Sequence, residues 1–129
     1  LNKILLPGFI LILYSCATGP DTVYQYNEIV IRNNSDSSLQ DVKIRVDNTN
    51  TVFSCSNIPA AASCSNRFRQ REYLGNPVQI SWTHQKKERT SGKFRLKVPN
   101  YLDPDIPLRG VLEVNKQGII KTYFEQAVQ

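Results

Sequence analysis

Val78-Gln79-Ile80-Ser81-Trp82-Thr83-His84 is the stretch that decides the fold class. In an extended chain Val78, Ile80, Trp82 and His84 fall on one side, and Gln79, Ser81 and Thr83 on the other. Such alternation marks a strand buried on one face. A helix would need apolar residues three and four apart. No segment of the chain offers that stripe at helical length.

The same period recurs on both sides. Phe94, Leu96 and Val98 alternate with Lys93, Arg95 and Lys97, and the charged run Gln85 to Gly92 reads as the hairpin loop before them. Val42, Ile44 and Val46 alternate with Lys43, Arg45 and Asp47. Val23 to Ile31 is β-branched and aromatic-rich and stops at a cluster of turn formers, Asn33 to Ser38. Asp47-Asn48-Thr49-Asn50 separates the Val42–Val46 strand from Thr51–Cys55, and a more polar stretch from Phe68 to Tyr73 ends before the turn Gly75-Asn76-Pro77. A proline-rich excursion, Pro99 to Pro107, leads to Val111–Val114 and Ile119–Phe124, which flank a hairpin turn at Asn115–Gly118. About seven short strands at this spacing predict an all-β, antiparallel sandwich over residues 23–129.

Two stretches carry a resemblance. The run from Val30 to Val46 resembles the opening hairpin of the immunoglobulin-like domains of bacterial surface proteins, and Asn57–Ser63, with Pro59, resembles their inter-strand loop. The resemblance implies an immunoglobulin-like β-sandwich. The distant cysteine pair bracketing a Trp is absent, because Cys55 and Cys64 are close together and Trp82 lies beyond both. The expectation is therefore the sandwich architecture rather than membership of that family.

The 129 residues leave room for one domain. Residues 1–15 read as an export leader: Lys3 precedes an apolar run from Ile4 to Leu13 that is too short to span a bilayer, which takes about 20 residues. Leu1 in place of Met reads as an alternative start codon or a clipped leader. Leu13-Tyr14-Ser15-Cys16 resembles the lipobox of bacterial lipoproteins. That resemblance implies removal of 1–15 and a diacylglycerol thioether on Cys16. Two or three acyl chains, at about 0.8 kcal/mol per buried CH₂, anchor a protein firmly. Residues 16–22 would be the lipidated N-terminus and a short tether. Ala17 stands where a retention Asp would hold the protein in the inner membrane, so the expected place is the cell envelope, on the outer membrane facing the periplasm. The alternative is an ordinary secretory signal that leaves Cys16 as a thiol.

Of the three cysteines, Cys16 goes to lipid, and Cys55 and Cys64 are left as an even pair in an oxidising compartment. A disulfide is expected between them, joining the end of one strand to the start of the next. Free thiols and a metal site are the alternatives. Cys-x₈-Cys is not a zinc spacing, and the only His, His84, lies far along the chain, so no metal and no cofactor is expected.

The formal net charge is +5. Between Arg67 and Lys97 stand nine basic residues against two acids, Glu72 and Glu88. Arg67, Arg69 and Arg71 recur with period two, as do Lys93, Arg95 and Lys97. Each triplet would project from one face of its strand. If both strands share a sheet, these six residues form a basic plate for lipopolysaccharide phosphate, acidic lipid or an acidic protein, extended by Lys43 and Arg45. The plainer reading is a solvated face that discourages edge-to-edge aggregation. Nucleic acid does not suit an exported protein.

The inventory for catalysis is thin. His84 is the one candidate base for a small hydrolase, and it shares its face with Val78, Ile80 and Trp82. Asp103 and Asp105 sit in a proline-flanked loop and read as a turn. The expected function is a non-enzymatic binding or accessory component of an envelope assembly, held to the membrane through Cys16 and meeting another envelope protein or an anionic envelope component. Binding of an anionic ligand on the basic face is the alternative.

Overall fold

The computed structural model describes residues 22–118 and 120–127. Leader residues 1–15 and Cys16 lie outside the described residues. The chain forms β1 (Gln25–Asn34), β2 (Leu39–Val46), β3 (Val52–Ile58), β4 (Ser63–Glu72), β5 (Val78–His84), β6 (Lys87–Phe94), β7 (Leu108–Asn115) and β8 (Ile120–Gln126). There is no helix among the described residues. The all-β reading therefore holds, with eight strands rather than seven.

The strands make two four-stranded sheets, in the orders β4-β1-β7-β8 and β3-β2-β5-β6. The first three crossings of the chain between sheets fall after β1, β3 and β4, and the last after β6. Every pairing is antiparallel except β1 with β7, which is parallel. A parallel pair needs a long crossover. Here that crossover is the whole of the second sheet together with β4.

Both sheets contribute to one apolar core. Ile29, Ile31, Leu112 and Val114 enter from the first sheet, and Leu39, Val42, Ile44, Ile80 and Trp82 from the second. The molecule is thus sandwich-like. β7 runs beside β1 at Gly110, where a Cβ would stand 2.8 Å from Ile29 Cδ1. Only a residue without a side chain lets Ile29 fill that space.

The Val78–His84 stretch forms β5, with Val78, Ile80, Trp82 and His84 all buried. The segment after it differs from expectation. Gln85 and Lys86 alone make the turn, with φ of 53° and 65°. Two successive positive φ values match the right-handed twist of a two-residue hairpin. The charged run read as a loop is therefore most of β6. β6 is an edge strand paired on one side only, so backbone hydrogen bonds hold it with little burial. Its register slips between Gln79 and Ser81, opposite Gly92 at φ 70°. Consequently only Lys93 and Phe94 of the 93–98 alternation belong to the strand.

The Cys55–Cys64 disulfide is present. Cys55 lies inside β3 rather than at its end, because β3 runs on to Ile58. The joining loop shrinks to 59–62. β3 and β4 are edge strands of different sheets, so the bridge clasps the two sheets along one side.

Candidate functional site

The two ends of the sheets differ in kind. At the end where β1 finishes, Asn33 plugs the space between sheets. It is fully buried, and its Nδ2 donates to Ile58 O at 2.9 Å and Ser37 O at 2.8 Å. Its Oδ1 accepts from Ser35 N at 3.0 Å and Ser35 Oγ at 2.6 Å. His84 belongs to this closed end. It is 2% exposed, its Nε2 lies 2.8 Å from Ser37 Oγ, and its Nδ1 has no hydrogen-bond partner among the described residues. A catalytic His needs an orienting group on the second nitrogen and access to substrate. His84 has neither here. Asp105 N donates to Asp103 Oδ1 at 2.9 Å, the local turn expected of that pair.

The opposite end is open. A cleft of about 340 Å³ runs from solvent into the core there. Its floor is apolar: Ile29, Leu112 and Phe124 from one sheet, and Ile44, Phe53 and Val78 from the other. Thr49, Thr51, Arg71, Leu74 and Asn76 form the mouth. The volume lies at the lower end of the ~300–1,000 Å³ usual for ligand pockets.

Aromatic rings wall one side. Tyr26 meets Phe68 edge-on at 5.3 Å and Tyr73 at 5.9 Å. Phe53 stacks on Phe68 at 5.1 Å across the sheets. Tyr73 also meets Phe124 at 5.0 Å, and its hydroxyl donates to Leu96 O. Burial pushes the Tyr26 and Tyr73 hydroxyls above the usual phenol range, against the opposite pull of Arg71 on Tyr26 and of the Leu96 carbonyl on Tyr73.

The basic residues do not form one plate. β4 and β6 stand in different sheets. In β4 the pairing with β1 slips: Glu28 faces Arg67, but Tyr26 faces Arg71. That irregularity breaks the alternation and turns Arg71 toward the inner face. Its guanidinium lies 4.5 Å from the Phe68 ring centre, 5.9 Å from Phe53 and 6.0 Å from Tyr26. Arg71 Nη1 donates to Thr51 Oγ1 at 3.3 Å. Arg67 points outward to Glu28 at 3.3 Å. Lys93 pairs with Asp47 at 3.1 Å. Arg95 donates to Gly75 O at 2.8 Å, tying the loop after β4 to the chain after β6. Arg69 and Lys97 are exposed. Lys43 and Arg45 are exposed on β2, in the second sheet.

The outer face of the first sheet is charge-balanced instead. Glu28 is buried and receives Arg109 at 2.8 Å, Arg67 and the Ser65 hydroxyl. Arg109 also reaches Glu125 at 3.0 Å, and Arg32 lies 3.4 Å from both Glu113 and Glu125. The Tyr123 hydroxyl accepts from Arg32 at 2.8 Å and donates to Glu113. Burial alone would raise the Glu28 carboxyl, but hydrogen bonds from Ser65, Arg109 and Arg67 outweigh it and hold it below the ordinary range. A depressed carboxyl adds stability above its unfolded pKa and loses it as pH falls through the folded value. The Glu28→Gln variant should therefore be less stable than the wild type at pH 7, with the gap closing below about pH 4.5. Urea midpoints at pH 7 and pH 3.5 measure this. A gap that persists unchanged at pH 3.5 would mean that shape, and not charge, matters at Glu28.

The cleft was not foreseen. Phe53, Phe68 and Tyr73 fall in segments that read as short or polar, Leu96 falls in one that reads as an alternating strand, and their convergence depends on the slipped pairing and on the 73–76 loop. Among the described residues no cluster of three or more His, Cys, Asp or Glu side chains could hold a metal ion.

No protein-family model matches the chain, and no curated protein matches it. Among solved structures it is similar to an NMR structure of a protein from Eubacterium rectale, with 12% identity and a TM-score of 0.48. The match covers 86% of this chain and 96% of that one.

Proposed function

We propose that this protein is a lipid-anchored component of the bacterial cell envelope that works by binding and not by catalysis. The observation that carries the reading is the direction of the open end. The chain enters the domain there, since Tyr24 O accepts from Tyr73 N beside the cleft. An anchor at Cys16 would be joined to that end by residues 17–21, a tether short enough to hold the cleft close to the membrane. The cleft offers apolar surface, hydroxyls and a guanidinium, which is equipment for holding a ligand. His84 lies at the other end, closed in, which favours binding over the hydrolase reading.

The domain is read as an immunoglobulin-like sandwich, on the support of two sheets around one core and a bridge between them. The lipobox resemblance at 13–16 supports the anchor, and Ala17 supports the outer membrane, facing the periplasm. As an accessory component it would meet another envelope protein or an anionic envelope component.

Fractionation tests the anchor. Cys16→Ser should move the protein from the membrane pellet to the soluble periplasmic fraction. Undiminished membrane association of that variant would defeat the reading. Stoichiometric recovery of one other envelope protein with the wild type would support the accessory role.

A further inference from the structure

The exposed large apolar residues among the described residues are Val23, Val52, Leu74 and Tyr101. All four belong to one end of the sheets. Val23 precedes β1, Val52 opens β3, Leu74 follows β4, and Tyr101 lies in the loop between β6 and β7. That loop is held to the same end by Tyr24 Oη, which donates to Leu102 O at 3.1 Å, and by Gln126 Nε2, which donates to Ile106 O at 2.9 Å. Leu74 is 65% exposed and Tyr101 81%. Scattered apolar residues need no explanation, but a set confined to one end marks a contact surface.

Leu74 of this fringe lines the cleft at its mouth, where Arg71 stands, and the other three lie at the same end of the sheets. Its guanidinium has no carboxylate partner among the described residues, whereas Arg32, Arg67, Lys93 and Arg109 are all paired. It lies against three aromatic rings, which hold its plane, and its Nη1 donates to Thr51 Oγ1, but a guanidinium has five N–H donors, more than these contacts use. Glu72 also lines the mouth, and Arg95 and Lys97 flank Leu96, which lines the cleft. The charge near the mouth is net positive.

We propose that the cleft takes the apolar chain of an anionic amphiphile, with Arg71 holding the carboxylate or phosphate head at the mouth. This rests on the binding reading above and names its ligand. An apolar cavity of roughly 150 Å³ is enough for one benzene ring, so 340 Å³ admits one medium-length aliphatic chain. A bidentate guanidinium suits a carboxylate or a phosphate equally. The apolar fringe points to a bilayer as the source, with Leu74 and Tyr101 entering its interface and the nearby cations meeting anionic headgroups.

The test uses the full chain carrying Cys16→Ser, with methyl NMR as readout. Dodecanoate should shift the Ile29, Ile44 and Leu112 methyl signals saturably, with one site per chain. Arg71→Gln should weaken dodecanoate about tenfold and leave 1-dodecanol within about twofold, the latter comparison isolating the head from the tail. Thr51→Trp, a plug at the mouth that leaves the core intact, should weaken both. Vesicles containing phosphatidylglycerol should retain the protein, and Leu74→Ser with Tyr101→Ser should abolish that retention. Dodecanoate binding without vesicle retention would keep the ligand class and make a free amphiphile its source. Equal binding of dodecanoate and dodecanol, unmoved by Arg71→Gln, would overturn the anionic head and leave the binding reading standing. Cleft methyls that respond to neither would overturn both, and self-association through this end with no ligand response would do the same.

Discussion

Opening the Cys55–Cys64 bridge is expected to lower the melting temperature by on the order of 10–20 °C. The loop between the cysteines is short, and chain-closure entropy for it corresponds to about 2–3 kcal/mol. For a domain of this size each kcal/mol moves the midpoint by roughly 4–8 °C. The native position of the bridge adds a local effect. It joins β3 and β4, edge strands of different sheets, each with a hydrogen-bonded neighbour on one side only. Without it the two edges are held by the short 59–62 connection and by the stack of Phe53 on Phe68. Amide exchange in β3 and β4 should then accelerate more than in β1, β2, β5 and β7. The Cys55→Ala/Cys64→Ala protein checks both. A shift of only a few degrees, or uniform acceleration, would show that the core alone holds the sheets together.

Asn33→Ala should cost about 3 kcal/mol, read from urea unfolding at neutral pH. The side chain makes four hydrogen bonds with no contact to solvent. Its removal leaves the Ile58 and Ser37 carbonyls and the Ser35 N–H without those partners in a water-poor space, and each such group carries a penalty of about 1–3 kcal/mol. Some relief comes from water entering the vacated volume, which keeps the total below the simple sum. Ser35→Ala removes fewer bonds and should cost less. If Asn33→Ala is within about 0.5 kcal/mol of wild type, the closed end is not sealed by this residue.

The same Asn33 shows where sequence reading stops. Asn33-Asn34-Ser35-Asp36-Ser37-Ser38 is a run of turn formers, and the strand was expected to end before it. β1 instead runs through Asn34, because Asn33 satisfies its polar groups on backbone carbonyls from a neighbouring loop and strand. The β6 segment reads as a loop in the sequence for a related reason. Lys87-Glu88-Arg89-Thr90-Ser91-Gly92 has no apolar face, yet pairing with β5 makes it a strand. The alternating segments that were legible, β2 and β5, are the inner strands of their sheet. Their pattern is visible because one side of each must be apolar.

The basic residues teach the same point at the candidate site. Period two placed Arg67, Arg69 and Arg71 on one face. The slipped register between β1 and β4 sends Arg67 to Glu28 on the outside and Arg71 to the aromatic rings within. Nothing in Arg-Phe-Arg-Gln-Arg itself signals that slip.

By itself the sequence determined the all-β class, the strands with an apolar face, the cysteine pair and the absence of any helical stripe. These follow from local periodicity and from the redox logic of an even pair, and they need no partner strand to be read. The tertiary structure alone decided the parallel pairing of β1 with β7, the strand character of the polar edges, and the gathering of Arg71, five aromatic rings and four exposed apolar residues at one end. Those depend on register and on which strands become neighbours. Between Tyr26–Arg71 and Glu28–Arg67 the β1–β4 register moves by two residues; such an irregularity resets which face a side chain lies on, and no local pattern records it.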